Sequence, residues 1–305
     1  MTKICMLGVC LSAAVVYGQT TYTANYQSYN PTTKTFNLAQ SIVYVLPDAT
    51  KFGPGPYPVF VHVPGTFEVY NSTLAMLFVN QMAARGFLSA SVQYMNTESQ
   101  QSCQQYTPRA RSIFDSTQPT SAVSVLCATA HASCSKGITA HGISQGAELS
   151  LLAANYASQV KAVFAQSAGD AFVDIKNFPL KCVDKVNTKL PANRLTVVNG
   201  ISDPFFGGQT SIQNVTGFTC AAGATQCWSP DGSGAGWYIV QNWQNGAGLA
   251  NHCYMFDNRG TSDYSCSGPY DPNWNAPSTY DWSLGTNLDW LATLGTHRNF
   301  SSTGY

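Results

Sequence analysis

The sequence predicts an α/β protein with a central, mostly parallel sheet that helices cover on both faces. Three observations lead to this class. Short apolar runs with the length of buried strands recur along the chain, as at residues 58–63 and 160–166. Segments whose apolar residues recur at helical spacing lie between these runs, as at residues 72–85. No internal repeat or low-complexity linker interrupts the series, which favours one large domain.

The expected elements are bounded by residues that end strands and helices. Pro47 ends one strand, and Gly86 stops a helix that begins at Ser72. Residues 19–40, rich in Tyr and Thr, predict an edge strand or an extended arm. The expected strands are 41–46, 58–63, 87–94, 137–140, 160–166, 194–199 and 236–240. The expected helical segments are 72–85, most of 109–130, 147–154 and 281–294.

The first residues are typical of a secretory signal. Lys3 precedes an apolar run at residues 4–16, and cleavage is expected after Gly18, which leaves 19–305 as a single domain. Within that domain, residues 167–193 carry enough apolar side chains to form a small cap over a site. A surface excursion with one helix accounts for the same residues equally well.

Composition narrows the range of partners. The 15 basic and 15 acidic residues give a net charge of zero, which argues against nucleic acid or an anionic membrane surface as a partner. Only 10% of the residues are charged, as in many extracellular proteins. No apolar run after the signal is long enough to cross a bilayer. We therefore expect a secreted monomer without an integral membrane segment.

The cysteines agree with an exported protein. After removal of the signal, eight remain, and an even number in an oxidising compartment predicts up to four disulfides. Their spacing does not fit a zinc site. Cys220 with Cys227 and Cys253 with Cys266 are the expected local pairs. Asparagine glycosylation sequons at positions 71, 214 and 299 also fit a secreted glycoprotein.

One pentapeptide contains the candidate nucleophile. The sequence Gly-Ile-Ser-Gln-Gly at residues 142–146 lies between the strand at 137–140 and the helical segment at 147–154. A serine on a sharp turn between a strand and a helix exposes its hydroxyl as a nucleophile, and the flanking glycines let strand and helix backbones pass closely. The structural alternative is an ordinary glycine-rich turn. The functional interpretation makes Ser144 a nucleophile.

A serine nucleophile needs a base and an acid that orients the base. Asp203 follows the strand at 194–199, and Asp170, after the strand at 160–166, is the alternative acid. His252 follows the strand at 236–240 and is the expected base. The other histidines sit within strands, ahead of the serine strand or in the polar tail: His62, His131, His141 and His297.

The order Ser144, Asp203, His252, with each residue just after a strand, resembles the α/β-hydrolase superfamily over most of the mature chain. The resemblance implies an oxyanion hole made by the N–H of Gln145 and by that of Gly65 or Thr66. Gln145 after the serine is similar to secreted lipases and cutinases. Glu148, one helical turn after the serine, is interpreted as a residue that stabilises the helix N-terminus.

The sequence therefore predicts a secreted serine hydrolase that cleaves carboxylic esters without a metal or organic cofactor. Its substrate would be a small-molecule or polymeric ester. Lipids, cutin-like polyesters, plant feruloyl esters and acetylated sugars all fit. A serine peptidase on the same fold and a non-catalytic binding protein are the alternative functions.

Overall fold

The structure of the protein is a computed structural model. It describes residues 20–30, 32–97, 103–169, 172–173, 179–180, 183, 187–205, 208–246, 248–257, 266–277 and 279–300. The expected signal at 1–18 lies outside the described residues, as do Asp170 and much of the expected cap at 167–193.

A nine-stranded mixed sheet forms the centre of the described protein, in the order β1-β2-β4-β3-β5-β6-β9-β11-β10. The six strands from β4 to β11 in that order pair in parallel, whereas β1, β2 and the edge strand β10 pair antiparallel. The described strands are β1 Thr21–Asn30, β2 Thr35–Val45, β3 Val59–Val63, β4 Leu88–Val92, β5 Ile138–Ile143, β6 Val160–Gln166, β7 Phe172–Val173, β8 Pro179–Leu180, β9 Leu195–Gly200, β10 Gln226–Trp228 and β11 Gly236–Val240, of which β7 and β8 lie outside the nine-stranded sheet. The predicted α/β class with a mostly parallel sheet is confirmed.

Helices cover both faces of this sheet. They are α1 Ala49–Phe52, α2 Thr73–Ala83, α3 Cys103–Phe114, α4 Ala122–Cys127, α5 Gln145–Leu151, α6 Gln209–Thr216 and α7 Leu284–Ala292. Alternate residues of β3 enter two separate apolar clusters: Val61 packs in the cluster that includes α3 to α6, and Phe60 in the cluster that includes α2 and α7. Because successive side chains of a strand point to opposite faces, both faces of the sheet are buried.

The N-terminal region is a hairpin and not a single arm. β1 pairs antiparallel with β2 along its whole length, so the strand expected at 41–46 is the last part of a longer strand. The Asn30 side chain accepts a hydrogen bond from the Thr32 N–H at 2.9 Å, which helps to turn the chain. β1 therefore occupies one edge of the sheet, as expected for residues 19–40.

The helix expected over most of 109–130 is two helices, α3 and α4. Asp115 ends the first because its carboxylate accepts hydrogen bonds from the N–H and hydroxyl of Thr117. Ser121 begins the second by accepting from the Ser124 N–H at 3.1 Å. Within 167–193, the described residues include a two-stranded antiparallel sheet made of β7 and β8.

Three disulfides join described cysteines. The predicted pairs Cys220–Cys227 and Cys253–Cys266 are confirmed, and Cys127–Cys134 is a third. Among the described residues, no helix has the length and apolar character needed to cross a membrane.

Candidate active site

Ser144 occupies the turn between β5 and α5. Its backbone angles, φ 55° and ψ −122°, lie in a region that a non-glycine residue rarely adopts. The Ser144 N–H donates to the carbonyl of Gln166 at the end of β6, at 2.9 Å. The strained turn thus has the geometry of the nucleophile elbow that the sequence predicts.

The two flanking glycines are required by close backbone contacts. A Cβ on Gly142 would lie 2.2 Å from the carbonyl oxygen of Gly146, and a Cβ on Gly146 would lie 2.0 Å from that of Val63. Both distances are far below van der Waals contact, and in each case the obstructing atom belongs to the backbone. β3, β5 and α5 can therefore meet at the elbow only if these positions are glycine.

Asp203 and His252 form a buried, directly hydrogen-bonded pair. His252 Nδ1 lies 2.8 Å from Asp203 Oδ2, and the other carboxylate oxygen accepts from the Phe205 N–H at 2.9 Å. The Phe205 ring meets the imidazole edge-on, with ring centroids 4.9 Å apart. Because a carboxylate accepts, Nδ1 carries the proton and Nε2 is the basic nitrogen.

Several backbone contacts fix the loop that carries His252. The Ser167 hydroxyl donates to the His252 carbonyl at 3.0 Å, and the Ser202 N–H donates to the Ala250 carbonyl at 2.9 Å. The Cys253–Cys266 disulfide constrains the same loop on its other side. Ser167 directly follows Gln166, which binds the Ser144 backbone, so one short segment holds both the elbow and the histidine loop.

That segment connects the elbow to the Asp203–His252 pair, because the Ser144 N–H donates to Gln166 and the Ser167 hydroxyl donates to the His252 carbonyl.

The loop after β3 lies against the elbow. A Cβ on Gly65 would lie 3.6 Å from Ser144 Cβ. The Gly65 N–H donates to Glu68 Oε2 at 2.8 Å, and its carbonyl accepts from Asn96 Nδ2 at 2.6 Å. The N–H of Gly65, one of the two predicted alternatives for the second oxyanion donor, is thus already engaged within the protein.

The remaining histidines lie where the sequence predicts. His131 and His297 are exposed, and His131 precedes β5 at the opposite end of the sheet from Ser144. His62 and His141 are fully buried on adjacent strands, with their Nδ1 atoms 2.9 Å apart. Burial, followed by the charge of His62, holds the pKa of His141 well below its ordinary value, so His141 stays neutral.

Glu148 lies in the first turn of α5, where the sequence places it, and makes a further contact. Its carboxylate is buried and accepts from the Gly169 N–H at 3.1 Å, which ties α5 to the segment after β6. Sequence analysis missed Glu68 and Gln166, which contact the site through Gly65 and Ser144. The sequence did contain one indication of these contacts. His62 precedes Gly65 by three residues, and His141 precedes Ser144 by three residues. The two histidines are paired on the parallel strands β3 and β5.

The elbow lies at the centre of the parallel strands, and the aspartate and histidine follow β9 and β11. An elbow leaving a central strand, with a hydrogen-bonded aspartate and histidine after later strands, resembles the arrangement of α/β hydrolases. Among the described residues, no group of three or more His, Cys, Asp or Glu side chains could hold a metal ion.

Comparisons with known proteins return similarities of structure only. No family model and no curated protein matches the sequence. Among solved structures, the chain is similar to Est1E from Butyrivibrio proteoclasticus, at 12% identity over 76% of this chain and 90% of that one, with a TM-score of 0.44. It is similar to a putative dienelactone hydrolase from Klebsiella pneumoniae, at 15% identity over 73% and 85%, with a TM-score of 0.42.

A third similar structure is the acylaminoacyl peptidase of Pyrococcus horikoshii, at 14% identity over 73% of this chain and 37% of that one, with a TM-score of 0.44. A hypothetical protein from Pseudomonas aeruginosa matches at 14% identity over 61% of this chain, with a TM-score of 0.39. The chain spans 55% of the length of that protein. At these identities the likeness concerns the fold alone.

Proposed function

We propose that the protein is a secreted serine hydrolase that cleaves carboxylic esters through an acyl-enzyme. The observation that supports the proposal is a strained elbow serine together with a buried Asp203–His252 pair whose hydrogen bond is 2.8 Å long, the two being connected through Gln166 and Ser167. A strained serine at the start of a helix has no evident structural purpose, because a glycine would adopt its backbone angles at lower cost.

In the proposed reaction, Ser144 Oγ attacks the ester carbonyl while His252 Nε2 takes its proton. The tetrahedral intermediate collapses as the histidine returns that proton to the departing alcohol, which leaves an acyl group on the serine. Water, deprotonated by the same nitrogen, then releases the acid. Asp203 keeps the proton on Nδ1 and stabilises the imidazolium that forms at each step.

The oxyanion would be stabilised by two backbone N–H groups. Gln145 supplies the first, because it follows the serine and begins α5. The second would come from Gly65 or Thr66, on the loop after β3, where the Gly65 N–H donates to Glu68 Oε2. The loop after β3 lies against Ser144, which supports placing the second donor on this loop.

The proposed compartment is the cell exterior. Three disulfides join described cysteines, and such bonds persist in oxidising environments. The expected signal at 1–18 and the low content of charged residues support the same proposal. The proposed enzyme is a monomer that uses no cofactor, and its substrate would be a small-molecule or polymeric ester.

The test replaces the nucleophile. Ser144→Ala should lower kcat on p-nitrophenyl esters by at least about a thousandfold and abolish labelling by a fluorophosphonate probe. Ser150→Ala, on the same helix α5, is the matched control and should keep both activities. Esters of graded acyl length would define the acyl preference, and peptide nitroanilides hydrolysed faster than esters would indicate a peptidase instead. Full ester hydrolysis by Ser144→Ala, or wild-type protein that never labels, would refute the proposal.

A further inference from the structure

Two consecutive residues at the end of β6, Gln166 and Ser167, contact both parts of the candidate site. The Gln166 carbonyl accepts from the Ser144 N–H at 2.9 Å, and the Ser167 hydroxyl donates to the His252 carbonyl at 3.0 Å. Both residues are fully buried. The candidate nucleophile and the candidate base are therefore held by groups on two residues that one peptide bond joins.

That peptide group is itself held from both sides. Its carbonyl accepts from the elbow after β5, and its N–H, which belongs to Ser167, donates to the carbonyl of Val198 on β9 at 3.0 Å. Because a peptide group is planar and rigid, these two hydrogen bonds fix the position of the Ser167 Cα relative to the sheet. The Ser167 side chain therefore starts from a point that β5, β6 and β9 define together.

Ser167 also has an unusual backbone conformation. Its φ of 56° lies in the left-handed region, which a non-glycine residue adopts only at a cost in free energy. Glycine would adopt this angle without that strain. A serine at this position is explained by the contact that its side chain makes, which is the hydrogen bond to His252.

The bond from Ser167 acts on the backbone of His252 itself. Elsewhere on the histidine loop, the Ala250 carbonyl accepts from a backbone N–H of the loop after β9, and the Tyr254 hydroxyl accepts from Gln166 Nε2 at 2.9 Å. Ala250 and Tyr254 each lie two residues from His252, so their contacts hold the flanks of this segment. The Ser167 hydroxyl holds its centre.

We propose that Ser167 is a positioning residue that sets the placement of His252 relative to Ser144, and that its strained backbone directs its hydroxyl toward the histidine loop. The inference rests on the proposed function, in which His252 takes the proton of Ser144 Oγ. Ser167 is fully buried, so it acts through His252 and not on substrate. Displacement of a general base slows proton transfer more than it weakens substrate binding.

The experiment separates the hydroxyl from the backbone strain. Ser167→Gly removes both, whereas Ser167→Ala removes the hydroxyl alone. We expect kcat for p-nitrophenyl esters to fall about tenfold to a hundredfold in both variants, with KM within about twofold of wild type. The midpoint of thermal unfolding should fall by about 3 °C in Ser167→Ala and by less in Ser167→Gly, because relief of strain offsets the lost hydrogen bond.

Lys34→Gly is the matched control. Lys34 has a φ of 57° in the exposed turn between β1 and β2, at the edge of the sheet, so this change also relieves strain. It should keep the wild-type kcat and should not lower the unfolding midpoint. An unchanged kcat in Ser167→Gly would overturn the proposal, even if Ser167→Ala lost activity, because Ser167 would then serve the fold alone. An equal loss of kcat in Lys34→Gly would also overturn it.

A second readout does not depend on activity. In protein labelled with ¹⁵N-histidine, the Nδ1 proton that His252 donates to Asp203 reports on the position of the ring, and His252→Gln assigns its resonance. This resonance should shift or broaden in Ser167→Gly and stay unchanged in Lys34→Gly. An identical resonance in wild type and Ser167→Gly would refute the positioning role. If the wild type hydrolyses no ester and takes no fluorophosphonate, the proposed function fails, whereas this comparison still decides whether Ser167 positions His252.

Discussion

The two sides of the candidate site are held in place by different means. On the acid–base side, Asp203 contacts His252 directly, and a disulfide and two loop hydrogen bonds fix the histidine backbone. On the oxyanion side, the loop after β3 is held by polar side chains, of which Glu68 faces a buried histidine. The first arrangement includes a covalent bond, whereas the second consists of hydrogen bonds. Substitutions that remove those hydrogen bonds should therefore change the rate on the oxyanion side.

The largest effect on kcat is expected from disrupting the Asp203–His252 hydrogen bond on the acid–base side. In Asp203→Asn, the amide can present its NH₂ to His252 Nδ1 and place the imidazole proton on the wrong nitrogen. We expect kcat to fall by about a thousandfold to ten-thousandfold, with a change in unfolding free energy of less than about 2 kcal/mol. Steady-state kinetics and thermal unfolding measure both. A kcat within tenfold of wild type would mean that another carboxylate, such as Asp170, orients the base.

An intermediate effect is expected from loosening the oxyanion side. Asn96 donates to the carbonyls of Gly65 and Glu68, and both bonds disappear in Asn96→Ala. A loop displaced by a fraction of an ångström should lower kcat about tenfold to a hundredfold and leave KM little changed. Asn193→Ala, whose side chain bonds Asp231 away from the site, is the control. If Asn96→Ala raises KM at constant kcat, the loop binds substrate instead of stabilising the oxyanion.

The smallest effect on rate is expected from opening the Cys253–Cys266 disulfide. The two cysteines are 13 residues apart, so replacing both with serine should lower the unfolding free energy by roughly 3 kcal/mol. Because Ser167 and Ser202 still bind the histidine loop, kcat should change by less than about fivefold. Chemical denaturation and ester kinetics give the two values. A much larger loss of kcat would show that the disulfide, and not the hydrogen bonds, positions His252.

The acid–base side was predictable because its signals are local. Ser144, Asp203 and His252 each follow an apolar run, and the carboxyl ends of parallel strands meet at one edge of a sheet. Glycines at 142 and 146 marked the close approach that the structure shows. Two disulfides were predictable from short spacing, since cysteines seven and 13 residues apart readily meet.

The oxyanion side was less predictable because its contacts depend on strand order. His62 meets His141 only because β3 lies beside β5, with β4 on the far side of β3, an order that the local sequence does not encode. The link from Glu68 to Gly65 likewise depends on loop conformation, including a positive φ at Phe67. The division of the segment at 109–130 into two helices was also not predicted. It results from a turn at Asp115, and helical periodicity does not indicate such a turn.

The contact between Gly146 and the Val63 carbonyl also bears on how the protein folds. It joins the end of β3 to the start of α5, two segments that are distant in the chain. The strained conformation of Ser144 has no local support strong enough to maintain it in an unfolded chain, so the elbow can form only once these segments dock. During refolding, reactivity of this serine should therefore appear with or after the assembled sheet and never before it, which makes an active-site label a reporter of late folding.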